Sequence, residues 1–499
     1  MDWFQDLPDW LVAVGALVTA VVWLLSVGIK VAALGVIPDN RKPSTGVAWL
    51  LMVLLAPIFG LIAFLFFGSP RVGRERHEKQ LRVNDRLRTR LQELPDSGPL
   101  VGPPYLASVV TLNRSLGALP LTPANTVLLI EDYQGSIEAM AREVRAAREF
   151  VHVEFYICAW DDMTSVLFDA MADAAARGVT VRFLFDHLGS KGLPTYKDMV
   201  RRLDETDIEW HPMLPVKVFR GEYKRPDLRN HRKLIVVDGE VGFMGSQNLT
   251  EPGYNKPKNH KLDRAWVELM ARVEGPVVNC LEAVFASDWY AETDEVLATS
   301  KLREGTRVSD GEDQVTGVPA QLVPSGPGFV SENNLRLFTT LLYSAQHRIS
   351  LTSPYFVPDE SLLYAVTTAA QRGIDIELFV SEQSDQFMVG HAQASYYRAL
   401  LESGVRIYLY PAPFILHSKH FTIDDDVAVI GSSNMDMRSF ALNYELSMLM
   451  LGSEVVARMR KVEDRYRELS RELTLEEWSQ RRPRTRYVDN VMRLTAALQ

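Results

Sequence analysis

Cysteine is nearly absent: Cys158 and Cys280 are the only two among 499 residues. That excludes a disulfide framework and a cysteine-ligated zinc site. Positive charge is not in excess either. The formal net charge is −9, which argues against a protein that coats nucleic acid by electrostatics. Residues 1–99 carry 11 basic and 9 acidic side chains, and the remaining 400 carry 43 and 54, so the bulk of the chain is the acidic part. With 47% hydrophobic and 23% charged residues, the composition is not that of a disordered chain. At roughly 100–200 residues per domain, two or three domains fit.

Charge is missing altogether from two runs, Trp10 to Ile29 (20 residues) and Ser44 to Gly68 (25 residues). About 20 apolar residues make a helix of ~30 Å, enough to cross the hydrocarbon core. The short connection Pro38 to Pro43 predicts a transmembrane hairpin over residues 1–70, with helices at 10–29 and 44–68 and a kink at Pro57. No Lys or Arg precedes the first run, which argues against a cleaved signal peptide. Arg71, Arg74, Arg76, Lys79, Arg82, Arg86, Arg88 and Arg90 crowd the exit of the second run, against only Arg41 and Lys42 in the connection. The positive-inside rule then places residues 71–499 in the cytoplasm, with 71–105 a basic juxtamembrane segment and linker.

The remainder reads as α/β. Val151 to Ile157 is a strand, Ser165 to Arg177 a helix closed by Gly178, and Val179 to Phe185 a strand. Arg348 to Thr352, Leu362 to Arg372 and Ile374 to Val380 repeat the phrase, and a largely parallel sheet is expected. A sharper repeat follows. His231, Lys233, Asp238, Gly245, Ser246 and Asn248 recur as His417, Lys419, Asp424, Gly431, Ser432 and Asn434, all at an offset of 186 residues. The shared pattern is H-x-K-x4-D-x6-G-S-x-N. Two tandem α/β domains with pseudo-two-fold symmetry are expected at 106–302 and 320–475, with a tail at 476–499.

On a strand, His and Lys two residues apart project to one face. The glycine admits close backbone approach, and Ser and Asn supply neutral donors. That set suits a phosphate: lysine and the amides stabilise its oxygens, and histidine attacks phosphorus or moves protons. Two half-sites put one imidazole on each side of the phosphorus, as in-line displacement requires. One would form a phosphohistidine, the other would protonate the leaving alkoxide, and the scheme needs no metal or other cofactor. The candidate catalytic set is His231, Lys233, Asp238, His417, Lys419 and Asp424, the two aspartates reading more naturally as turn or lysine holders. Ser246, Asn248, Ser432 and Asn434 are candidate phosphate binders. Glu445, 28 residues after His417, is a candidate to orient that histidine; the same spacing in the first half gives Asn259, leaving Asp263 as its candidate. His420 falls on the opposite strand face from His417 and reads as a packing residue.

These motifs resemble the phospholipase D superfamily, whose signature is the doubled H-x-K-x4-D. Arg41 to Thr45, Phe66 to Gly68, Ser353 to Asp359, Gly431 to Phe440 and Asn443 to Glu445 narrow the resemblance to the bacterial cardiolipin synthases. The resemblance implies conversion of two phosphatidylglycerol molecules to cardiolipin and glycerol at the inner membrane. It also implies a phosphatidyl-histidine intermediate, Glu445 paired with its histidine, His231 as nucleophile and His417 as general acid/base. The partners expected are phosphatidylglycerol and the membrane, not nucleic acid, with a second copy of the chain left open. A hydrolase of phospholipid or nucleic acid with the same chemistry is the alternative. The segment Glu251 to Trp266, with Lys256, Lys258 and Lys261, is longer and more basic than the family pattern. The tail at Arg484 to Gln499 has helical apolar spacing that suits either the membrane interface or the protein surface.

Overall fold

The structure, a computed structural model, describes residues 9–39, 43–68, 78–79, 81–82, 100–117, 119–216, 227–297, 313–327, 329 and 332–495. Arg41, Lys42, Arg71, Arg74, Arg76, Arg86, Arg88 and Arg90 lie outside the described residues. The chain forms two compact units, Met1–Arg71 and Val72–Gln499.

In the first unit, α1 (Asp9–Val36) is 28 residues of apolar helix. Among the described residues it alone is long and apolar enough to cross a membrane. The second apolar run forms two shorter helices, α2 (Pro43–Leu55) and α3 (Pro57–Ala63), the latter ending in a π-helical turn at Phe64–Gly68. The break falls at Ala56, whose φ of −135° and ψ of 77° are not helical; the ring of a following proline disfavours the helical region. The chain then doubles back. Trp49 packs edge-on against Phe64 with ring centroids 5.5 Å apart, whereas an unbroken helix would separate them by about 22 Å. Gly60 makes this approach possible, since a Cβ there would lie 2.7 Å from Val53 Cα.

Among the described residues the second unit has 19 strands. The first repeat supplies β1 (Leu121–Ile130), β2 (Phe150–Phe155), β3 (Thr180–Asp186), β4 (Glu209–Met213), β5 (Leu234–Val237), β6 (Val241–Gly245), β7 (Trp266–Val267) and β8 (Met270–Glu274). The second supplies β9 (Val315–Ser325), β10 (Arg348–Thr352), β11 (Phe356–Val357), β12 (Asp375–Ser381), β13 (Arg406–Tyr410), β14 (Ile415–Leu416), β15 (His420–Ile423), β16 (Val427–Gly431), β17 (Met435–Asp436), β18 (Glu445–Leu451) and β19 (Arg471–Leu473). Fifteen of them make one sheet, ordered β19-β13-β12-β10-β15-β16-β18-β9-β1-β8-β6-β5-β2-β3-β4. Read outward from the central β9–β1 pair, seven strands on each side correspond one to one and β19 is added at one edge, so the two repeats face each other across a pseudo-two-fold axis.

The sheet is not the largely parallel one expected. Only β2-β3-β4 and β10-β12-β13 run parallel, where helices such as Ser165–Ala176 and Glu360–Gln371 provide the crossovers. The motif strands return through tight turns, which force antiparallel pairing of β5 with β6 and β15 with β16. One hydrophobic core includes Leu234 and Met244 from the first repeat and Leu416, Ile430 and Met448 from the second. The tail helix Pro483–Arg493 packs on the protein: Asp489 is buried, and Arg493 lies over the Tyr396 ring at 4.6 Å.

Candidate active site

Both H-x-K segments lie just before their strands, β5 and β15. A short parallel pairing delivers each histidine to the opposite repeat. The His231 N–H donates to Tyr444 O at 2.8 Å, and the His417 N–H donates to Val267 O at 2.8 Å beside the β7–β14 pair. The next residue in each acceptor segment is a glutamate. Glu445 Oε2 lies 3.0 Å from His231 Nδ1, and Glu268 Oε1 lies 2.7 Å from His417 Nδ1. Each imidazole is therefore oriented by an acid from the other half of the molecule. With Nδ1 so engaged, Nε2 is left with its lone pair for chemistry.

This arrangement corrects two sequence expectations. Glu445 does not hold His417 of its own repeat but His231. Asp263 holds neither histidine: it is exposed with φ 49°, and Glu268 takes the position. Glu268 lies 37 residues after His231, against 28 from His417 to Glu445, because the intervening loop is longer in the first repeat. The detectable signal was the dipeptide, since Glu268-Leu269 and Glu445-Leu446 both open onto the strand that follows the loop.

The serines and glycines also play another part than expected. Ser246 Oγ donates to Glu268 Oε2 and Ser432 Oγ to Glu445 Oε2, each at 2.6 Å. Each hydroxyl in turn accepts a backbone N–H, from Leu269 and from Leu446, at 3.0 Å. They fix the carboxylates rather than face a phosphate. A Cβ on Gly245 would meet Leu269 O at 2.4 Å, and one on Gly431 would meet Leu446 O within clash distance. The close approach that glycine allows is thus that of the glutamate-bearing segment, not of a ligand. Asn248 bridges Ile157 N (3.2 Å) and Tyr254 Oη (2.7 Å), and Asn434 Nδ2 donates to Asp436 (3.1 Å).

Asp238 and Asp424 sit about 16 Å along their strands from the lysines, at some 3.3 Å per residue. Asp238 accepts the backbone N–H groups of Arg148, Glu149 and Phe150 at 2.8–2.9 Å. Asp424 accepts those of Gln346, His347 and Arg348 at 2.7–2.9 Å. Both are fold-holding groups and leave the catalytic set. His420 is likewise no ligand: its ring is buried against Tyr466 at 5.9 Å.

The lysines remain at the centre. Lys233 Nζ donates to His231 O at 2.6 Å, and Lys419 Nζ donates to His417 O. Burial, reinforced by nearby Lys419, pulls the Lys233 pKa down to about 7; burial pulls Lys419 down to about 8. Burial also lowers both histidines, His417 to about 4, so the imidazoles are neutral at pH 7. Burial opposes ionisation of Glu268 and Glu445 too, but the paired histidines, serines and lysines outweigh it and hold both below the ordinary range. The site is thus an anionic pair of carboxylates behind two neutral imidazoles, with two lysines beside them that are cationic below about pH 7 and 8. A phosphate diester is the anion such a pocket fits. Sequence reasoning missed one further wall, Tyr156, whose ring stands edge-on to His231 at 4.8 Å with Lys233 Nζ 5.3 Å from its centroid.

The fold and this doubled site define a phospholipase D-like protein. The family model described as "Cardiolipin synthase, PLD-like domain" matches residues 140–289 and 338–466, and that described as "Phospholipase_D-nuclease N-terminal" matches residues 16–69. The chain is 31% identical over 486 residues to Cardiolipin synthase A of Yersinia pseudotuberculosis serotype O:1b (strain IP 31758), and 32% identical over 487 residues to that of Serratia proteamaculans (strain 568). Each alignment covers 96% of both chains. The crystal structure of phosphatidylserine synthase from Haemophilus influenzae Rd KW20 superposes with a TM-score of 0.60 at 12% identity, covering 80% of this chain and 100% of that one. The chain belongs to the cardiolipin synthase family.

Proposed function

We infer that the protein is a membrane-anchored phosphatidyltransferase that joins two phosphatidylglycerol molecules into cardiolipin and releases glycerol. The observation that carries this reading is the pair of imidazoles held across the pseudo-two-fold axis, each by a glutamate of the opposite repeat. His231 Nε2 attacks the phosphorus of one phosphatidylglycerol. The bond from phosphorus to the glycerol headgroup oxygen breaks as His417 donates a proton to it, leaving a phosphatidyl-histidine. His417 then takes the proton of a headgroup hydroxyl on the second phosphatidylglycerol, whose oxygen displaces His231. Lys233 and Lys419 balance charge on the phosphoryl oxygens throughout. Both imidazoles are neutral in the buried pocket, so His417 takes one proton on Nε2 from water as the phosphate anion arrives to balance its charge, and this is the proton that the leaving glycerol oxygen receives.

For the membrane orientation we propose a reading supported by the break at Ala56 and by where the basic residues fall in the sequence. If α1 crosses once and α2–α3 re-enters, the 38–42 connection and the segment after Gly68 emerge on one side. That side collects Arg41, Lys42 and the Arg71–Arg90 cluster, while the stretch before α1 holds Asp2 and Asp6 and no basic residue. The positive-inside rule makes the basic side, and the catalytic unit with it, cytoplasmic. Glycerol release and cardiolipin formation from phosphatidylglycerol alone, lost in His231→Ala and in His417→Ala, test the reaction.

A further inference from the structure

The loop between Asn248 and Glu268 is nine residues longer than its counterpart between Asn434 and Glu445. Its inner side is built into the active site. Tyr254 Oη accepts from Asn248, the Trp266 ring lies tilted against that of Tyr254 with centroids 4.6 Å apart, and Asn255 Nδ2 donates to Asp161 at 2.7 Å. Its outer side is exposed and basic: Lys256, Lys258, Lys261 and the partly exposed Arg264 outnumber the loop's one exposed acid, Asp263, while Asp385 faces Lys256 and Arg264 from the neighbouring segment and Glu382 and Glu477 share a cavity with Arg264. Large apolar side chains are exposed around the same place. Leu262 is on the loop itself; Phe414 precedes Ile415, whose N–H donates to Ala265 O at 2.9 Å. Phe387, 68% exposed, shares with Arg264 the lining of a cavity of about 600 Å³. Met388 is exposed beside it.

We propose that this rim, Lys256, Lys258, Lys261 and Arg264 set among Leu262, Phe387, Met388 and Phe414, docks the His417 side of the active site on an anionic bilayer surface. The occupant follows from charge: residues 100–499 carry an excess of acidic residues, so a local basic cluster on them is complementary to anionic headgroups and not to the rest of the body. Exposed Leu and Phe among lysines are the composition of an interfacial contact, where apolar tips enter the acyl boundary and ammonium groups stay at headgroup level. The rim also solves a problem of access. His231 and His417 are nearly buried, and a phosphodiester fixed at the membrane reaches them only if the mouth of the site sits on the surface. The proposal rests on the lipid-substrate reading.

The test uses the full chain in vesicles, labelled with an environment-sensitive fluorophore at Leu262→Cys or Phe414→Cys. Cys158 and Cys280 are fully buried and burial pushes their thiols up, so they do not compete for label. Glu402→Cys, at the far end of the helix Phe387–Glu402, is the control. In phosphatidylglycerol vesicles a quencher carried on the acyl chains is expected to quench the labels at 262 and 414 and not at 402. Replacing Lys256, Lys258 and Lys261 with Gln weakens the contact by about fivefold for each charge removed, and pure phosphatidylcholine abolishes it. Unquenched labels in anionic vesicles, or quenching indifferent to lipid charge and to the three lysines, would overturn the proposal. Quenching without any cardiolipin formed would sink the transferase reading and leave the docking surface standing.

Discussion

Glu268 and Glu445 lie behind the reacting atoms and set the tautomer of the imidazoles. Glu268→Gln and Glu445→Gln are therefore expected to fold normally, since the serine hydrogen bonds survive, and to lose about 10²–10⁴ in kcat. Steady-state kinetics beside a thermal melt checks this. Asp238→Asn and Asp424→Asn should behave in the opposite way. Each leaves backbone N–H groups poorly satisfied and costs about 1–3 kcal/mol, read as a lower Tm with kcat of the folded fraction retained. The lysines predict the pH response. Lys233 and Lys419 are charged only below about 7 and 8, so kcat/KM should fall as pH rises through that range in the free enzyme. A profile flat to pH 10 would contradict their role. The H-x-K residues were legible because they recur at one offset. Their acids were half legible: a repeat suggests that each motif is self-contained, whereas contact across the axis pairs each histidine with the other copy's glutamate. The extra loop then hid Glu268 by shifting its spacing.

At the scale of elements, the motif strands, their helices and the α/β class were readable from periodicity. The antiparallel centre of the sheet was not, because the phrase strand–helix–strand was visible while the strand order was not. The second apolar run shows a different limit. Length and hydropathy alone read it as one continuous helix, whereas Pro57 removes the helical conformation from Ala56 and Gly60 lets the two arms pack. Cysteines placed at Asp39 and at Gly68 are expected to react with impermeant reagent from the same side of sealed vesicles, and one at Asp9 from the other. Labelling of positions 39 and 68 from opposite sides would instead establish the simple hairpin. Gly60→Leu, which puts a side chain into the Val53 backbone, is expected to disrupt the turn and lower the yield of membrane-inserted protein.

At the scale of the whole molecule, duplication does more than double the motif. The β9–β1 pair and the shared core around Leu234, Leu416 and Met448 make one body, and only in that body does each half complete the other's site. We propose that the two histidines of this composite site form one phosphatidyl-transfer centre. The most direct measurement gives the purified full chain phosphatidylglycerol as the sole lipid and quantifies cardiolipin, glycerol and phosphatidic acid, beside His231→Ala and His417→Ala. Cardiolipin and glycerol are expected in equal amounts, and neither from the two variants. Phosphatidic acid in place of cardiolipin, or cardiolipin still formed by either variant, would contradict it.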